Sequence, residues 1–171
     1  MKLMQRLAAV AALAVACGSP SAQGLSPDEQ AVIQRAAVQF LAGLDRNANY
    51  DVTAEHVMDR ITMDMDDYVI IDVRMPREKK YDVGHLPGAR FVAIHDLANP
   101  EVLAMLPRDK DVIVHCDTGQ QQNKAVAVLR MLGYRAFGMR HGFLSWSPAP
   151  PTGRTLETIA LSSSRSYPVE K

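Results

Sequence analysis

The chain has 171 residues, of which 47% are hydrophobic, and its 19 basic and 19 acidic side chains cancel to a formal net charge of zero. That length suits one domain, or one domain with an arm, and the apolar content excludes a chain disordered over most of its length. The balanced charge excludes the basic surface on which nucleic-acid binding usually depends, so no nucleic-acid partner is expected.

At the start, Lys2 and Arg6 precede an alanine-rich apolar run from Leu7 to Ala16, and small residues follow. The run is too short to span a bilayer and has the layout of a secretory signal. Cleavage after Ala22 or Gly24 leaves a soluble exported chain, periplasmic in a cell with two membranes. The segment 13-LAVAC-17 is also similar to a lipoprotein signal, with Ala14 where leucine is usual. Processing there would put acyl chains on Cys17 and make a lipid anchor the only membrane contact. Either cut removes Cys17 as a disulfide partner and leaves Cys116 as a lone thiol in an oxidising compartment. It also leaves 17 basic against 19 acidic residues. The chain thus divides into a signal segment (1–24), a helical arm (25–50), a main domain (51–147) and a proline-containing tail (148–171).

In the arm, 26-SPDE-29 is a helix start. Ser26 caps, Pro27 suits the first turn and Glu29 completes a capping box. Ile33, Ala36, Ala37, Phe40, Leu41 and Leu44 recur at helical spacing, and polar turn formers from Asp45 to Asn49 end the helix. It would serve as a lid or a packing arm. Thr53 caps a second, short helix with Val57 and Ile61 inside, and Met63 and Met65 are expected to pack under the arm.

The run 68-YVIIDV-73 is a near-continuous apolar strand of the kind found in parallel sheets covered on both faces. A turn at 84-GHLPGA-89 leads to a short strand, 90-RFVAI-94, then a helix over Asp96 to Leu106 and a buried strand, 112-VIVH-115. Ala125, Val128, Leu129 and Leu132 line one face of the next helix, with Gly133 as its left-handed C-cap. Residues 134-YRAFGM-139 form a fourth strand, and His141 to Trp146 a final short helix. Alternating strand and helix patterns define an α/β protein with a parallel sheet.

Cys116 lies where the strand 112–115 ends and the next helix is about to begin. Ligands of open α/β sheets bind beyond the carboxyl ends of the strands. The polar turn Asp117, Thr118, Gly119, Gln120, Gln121 can aim successive backbone N–H groups inward as an anion nest, and the helix adds the positive end of its dipole. A thiolate is the nucleophilic form of cysteine and is favoured by such surroundings. The chemistry indicated is attack by Cys116 on a soft electrophile. The competing assignment is a small buried hydrophobe with no reactivity. A metal site is disfavoured, because no second thiol stands at ligand spacing. A pairing of Cys116 with His85 or His141 through space stays open. Glycine patterns of nucleotide-binding loops are absent.

Taken together, 72-DVR-74, 84-GHLPGA-89, the cysteine turn, 132-LGY-134 and 141-HGFLSW-146 agree in order and spacing with a known family. The stretch from about Asp51 to Trp146 resembles a single-domain rhodanese, of the sulfurtransferase family. The resemblance implies a doubly wound, five-stranded parallel sheet with helices on both faces, here with the helical arm in addition. It implies that Cys116 takes a sulfane sulfur from a small donor such as thiosulfate and holds it as a persulfide. A thiol, a cyanide-like acceptor or a protein sulfur carrier then removes it, and no cofactor beyond that covalent intermediate is needed. The turn Cys116 to Gln121 would form the pocket. Asp72, Arg74 and His85 would be structural, with Asp72 tying down a loop, Arg74 pairing with an acidic residue such as Glu78, and His85 fixing its turn. Trp146 would pack against the sheet.

The sequence departs from the thiosulfate-active pattern. Arginines are common beside the family's cysteine and near the end of the turn, where this chain has Asp117 and Gln121. A carboxylate there disfavours a neighbouring thiolate and repels an anionic donor, and no guanidinium fork is left in the turn. Lys124, one helical step on, compensates in part. Weak activity with thiosulfate is expected, with a neutral or protein-bound donor more natural; the alternative is a non-catalytic module that binds an anion or a partner. The related phosphatases close a longer turn with an arginine where this chain has Gln122. The charged run 77-REKK-80 is expected to be a solvated face on the active-site side.

Overall fold

In a computed structural model, which describes residues 24–147, the arm opens with α1, Pro27–Ala42. The Ser26 hydroxyl accepts from the Glu29 N–H while the Glu29 carboxylate accepts from the Ser26 N–H, so both halves of the capping box are made. The signal and tail expectations lie outside the described residues. Gly43 closes α1, and a 3₁₀ segment, Asp45–Tyr50, turns the chain through three left-handed residues, Ala48, Asn49 and Tyr50.

The domain then runs through β1 (Asp51–Val52), α2 (Ala54–Thr62), β2 (Tyr68–Asp72), β3 (Arg90–Phe91), α3 (Pro100–Ala104), β4 (Asp111–His115), α4 (Gln120–Met131), β5 (Arg135–Met139) and α5 (Phe143–Trp146). The strand order is β1-β5-β4-β2-β3, and every pairing is parallel. β2 and β4 run in register from Tyr68 against Asp111 to Asp72 against His115. Their carboxyl ends therefore finish side by side, and the cysteine follows directly.

Alternation along the central strands sorts the core into two layers. Ile71, Val112, Val114 and Ala136 face Ala125, Val126 and Leu129 of α4, with Tyr50, Leu97 and Leu106. Ile70, Ile113 and Met139 face Ala54 and Val57 of α2, with Leu86 and Phe143. The sheet is thus covered on both faces. At its far end the buried Asp111 takes Arg60 at 3.0 Å and Arg135 at 2.8 Å.

The structure departs from the sequence pattern in several places. The chain hydrogen-bonds as strand only over Arg90–Phe91 rather than 90–94, and the Asp96–Leu106 helix shortens to α3 after a 3₁₀ turn at Ile94–Asp96. Asn99 and Pro100 break that segment, since proline offers no N–H and sets a new N-terminus. β1 is two residues long, too short for a periodic signal. Along α1, Ala36, Ala37, Phe40 and Leu44 are partly buried, whereas Ile33 and Leu41 stay exposed because only part of the helix lies against the domain. Met63 and Met65 do not pack under the arm; both are exposed, Met63 at 71%, in the turn that ends α2. Leu132 is also exposed. Gly133 is the left-handed residue after α4, with φ of 85°, and the Tyr134 N–H reaches back to the Leu129 carbonyl at 2.9 Å.

Candidate functional site

The cysteine turn is held from three directions. Gln122 sits on the inward stripe of α4 with Ala125, Val126 and Leu129, fully buried. Its Oε1 accepts the Cys116 N–H at 3.0 Å, and its Nε2 donates to the Met139 carbonyl at 2.5 Å, so one amide clamps the ends of β4 and β5 together. From the other side, α5 caps the turn: the Phe143 N–H donates to the Cys116 carbonyl at 2.7 Å and the Leu144 N–H to the Asp117 carbonyl at 3.1 Å. This approach requires Gly142. Its φ is 57°, and a Cβ there would lie 2.4 Å from the Cys116 carbonyl oxygen. Third, Gly119 turns left-handed, with φ of 108°, as the N-cap of α4. That conformation aims the Gly119 N–H at Cys116 Sγ, 3.1 Å away.

Cys116 is 2% exposed, yet it lines a cavity of about 310 Å³. Val73, Met75 and Ile94 give that cavity an apolar wall, and Asp117, Thr118, Gln120 and Gln121 give it a polar one. The thiol is thus both packed and addressed by a backbone donor. Of the expected ring of amides, the Gly119 N–H is the one that donates to the sulfur. The first N–H groups of a helix have no partner within it, and α4 begins directly after Gly119.

Asp117 Oδ2 pairs with Lys80 Nζ at 3.1 Å, both side chains mostly buried, while Asp117 Oδ1 has no partner. The carboxylate beside the thiol, expected to be compensated in part by Lys124, is paired with Lys80 instead. The run 77–80 is accordingly not wholly a solvated face: Arg77 pairs outside with Asp82, but Lys80 turns in to the site. Lys124 does not add a cation to the cavity; its Nζ lies 3.3 Å from Gln121 Oε1 on the exposed side of α4.

Beneath the turn, Asp72, Arg74 and His115 form a sealed polar group. Arg74 bonds Asp72 through Nε and Nη2, the latter at 2.6 Å, and Nη2 also donates to the Gly84 carbonyl at 2.5 Å. The expected partnership of Arg74 with Glu78 is replaced by this one, because an acidic residue two positions earlier on the same strand end lies closer. The guanidinium stacks 3.9 Å over the Phe143 ring. His115 Nε2 stands 3.5 Å from Asp72 Oδ2, and burial pushes its pKa down to about 4, with the Asp72 carboxylate opposing.

The two histidines considered as partners of the thiol, His85 and His141, stand apart from it. His85 Nδ1 meets the Tyr81 carbonyl at 2.9 Å and its ring stacks on Tyr81. His141, left-handed, lines a separate cavity behind the turn with Asp51, Asn123 and Arg140. Neither lines the Cys116 cavity. Trp146 packs partly against the α2 side of the core.

A single thiol in a glycine-containing turn, set between a central parallel strand and a helix N-terminus, defines the class: an α/β domain whose candidate site centres on one cysteine. A family model described as the rhodanese-like domain matches residues 53–149. The chain belongs to that family. A sulfurtransferase of Allochromatium vinosum is 29% identical over 98 residues, covering 57% of this chain and 87% of the relative. A tRNA sulfurtransferase of Desulfurococcus amylolyticus is 40% identical over 76 residues, which are 44% of this chain and only 14% of that much longer protein. Among solved structures, a full-length protein from Lactobacillus plantarum aligns with TM-score 0.54 at 21% identity, over 64% of this chain and 90% of that one. A rhodanese-like domain protein from Staphylococcus aureus aligns at 0.50 and 21%, over 57% and 90%. These structures share the fold.

Sequence reasoning named Cys116 and its turn as the candidate site but gave Gln122, Gly142 and His115 no place beside them. Gln122 was visible in principle, as a polar residue at the helical position of a buried stripe. Lys80 lies 37 residues from its partner, and no local pattern announces such a pairing.

Proposed function

We propose that this domain is a sulfurtransferase that carries sulfane sulfur on Cys116 as a persulfide. The observation that carries this reading is the Gly119 N–H aimed at Cys116 Sγ, at 3.1 Å, in a cavity open to a small molecule. With thiosulfate as donor, the Cys116 thiolate attacks the outer sulfur. A new S–S bond forms at the cysteine, the donor's S–S bond breaks, and sulfite leaves with the electron pair. The persulfide's outer sulfur then carries the negative charge, which backbone donors at the start of α4 stabilise. A thiolate or cyanide attacks that sulfur in turn and releases the Cys116 thiolate. Family membership and the sulfurtransferase relatives support the reaction class.

One observation favours the alternative of a binding module without turnover: Cys116 is only 2% exposed, which restricts the approach of a donor and an acceptor. Intact mass measurement separates the two. Incubation with thiosulfate or an organic persulfide should add one sulfur atom that a thiol removes, and Cys116→Ser should abolish the gain. A wild-type protein that gains no sulfur from either donor overturns the sulfurtransferase reading.

A further inference from the structure

We propose that Lys80 is the charge-selecting residue of the Cys116 site: by pairing with Asp117 it sets the cavity to electrical neutrality, so that the site admits donors of low charge and gives a dianion no grip. For sulfur transfer the consequence rests on the role proposed for Cys116, but the electrostatic claim stands without it.

Each charged group at this cavity is balanced locally. Arg74, which lines it, is bound to Asp72 through Nε and Nη2 and to the Gly84 carbonyl; its Nη1 has no hydrogen-bond partner, but its charge is matched by the Asp72 carboxylate. Asp117 is held by Lys80 at 3.1 Å. The remaining lining side chains are uncharged, and three of them are apolar: Val73, Met75 and Ile94. A doubly charged donor therefore meets no cation that lacks a carboxylate partner, whereas an organic persulfide can lay its carbon portion on the apolar wall. In that transfer the Cys116 thiolate attacks the outer sulfur of R–S–SH. The donor S–S bond breaks, RS⁻ leaves with the electron pair and takes up the proton, and Cys116 keeps the persulfide anion.

Lys80 is a positioning residue, since it acts through Asp117. Its removal leaves a bare carboxylate next to the thiol; removal of Asp117 leaves a bare ammonium. Both changes alter the thiolate for every reagent alike, and only a charged reagent feels the added charge directly, so the ratio of charged to neutral rates isolates an effect of about tenfold for a unit charge this close and partly shielded from water.

The test is alkylation of Cys116, followed by peptide mass, with iodoacetate and with neutral iodoacetamide. Lys80→Gln should lower the iodoacetate-to-iodoacetamide rate ratio by about five- to tenfold, and Asp117→Asn should raise it by a similar factor. The double variant should return near the wild-type ratio, and Lys80→Arg should keep it. In parallel, Asp117→Asn should load sulfur from thiosulfate faster than wild type. An unchanged ratio in Lys80→Gln overturns the proposal, as does a double variant that behaves like Lys80→Gln alone. If no variant loads sulfur from any donor, the sulfur-transfer reading falls, and the alkylation ratios still decide the role of Lys80.

Discussion

His115 ends β4 with its ring sealed from solvent, and neither ring nitrogen makes a hydrogen bond of good geometry. Burial is the main reason its pKa falls to about 4, with Asp72 pulling the other way. The sign of the linkage follows. Above pH 6.5 the histidine is neutral folded or unfolded and stability is unaffected. Between pH 6.5 and about 4 the unfolded chain binds a proton that the folded chain refuses, so stability falls as the pH falls. The full effect is roughly 3 kcal/mol. His115→Phe keeps the shape without the titrating group. Its urea midpoint should therefore drop less between pH 7 and pH 4.5 than that of the wild type. Equal drops in the two proteins would show that His115 contributes nothing to acid sensitivity. The sequence places this histidine on a buried strand, but only the register of β2 against β4 reveals that Asp72 faces it.

Elements with strong periodicity were legible before the structure was known. β2, β4 and α4 combine apolar runs with clear ends, and the capping box announces α1. β1 and β3, two residues each, are strands only because longer neighbours hydrogen-bond to them, and nothing local encodes that. The end of α1 shows the same limit. Gly43 has ordinary helical φ and ψ, so its glycine serves space rather than conformation. A Cβ there would fall 1.7 Å from the Tyr50 hydroxyl oxygen. Tyr50 in turn is buried, stacks on Phe40 at 5.5 Å and lies under the Arg130 guanidinium at 4.0 Å. Gly43→Ala should force that ring out of place and cost about 1–3 kcal/mol. Gly84→Ala is the control, since nothing lies within 4 Å of its Cβ position and its φ is unexceptional; it should stay within about 0.5 kcal/mol of wild type. Thermal or urea unfolding of the two variants checks both figures, and equal stabilities would remove the packing argument for Gly43.

Across the whole molecule, the site is assembled from segments far apart in the chain, and Arg74 joins three of them. It takes Asp72 at the end of β2, the Gly84 carbonyl of the following turn and the face of Phe143 in α5, the helix that caps the cysteine turn. The family resemblance implies that Arg74 pairs with an acidic residue, but with Glu78 rather than Asp72 as the example; its reach to Gly84 and Phe143 was not legible, because both contacts depend on how distant loops return to the sheet edge. Arg74 is 1% exposed and Asp72 is fully buried, so removing one partner strands the other's charge away from water. Arg74→Met should cost about 3–5 kcal/mol, whereas Asp72→Asn with Arg74→Met, which removes both charges, should recover part of that loss. The variants should also differ at the site: by loosening α5, Arg74→Met should speed iodoacetamide labelling of Cys116 under native conditions. A loss below about 1 kcal/mol for Arg74→Met, with unchanged labelling, would mean that the edge of the sheet is held by the backbone bonds of α5 and the Gln122 clamp, with Arg74 as a passenger.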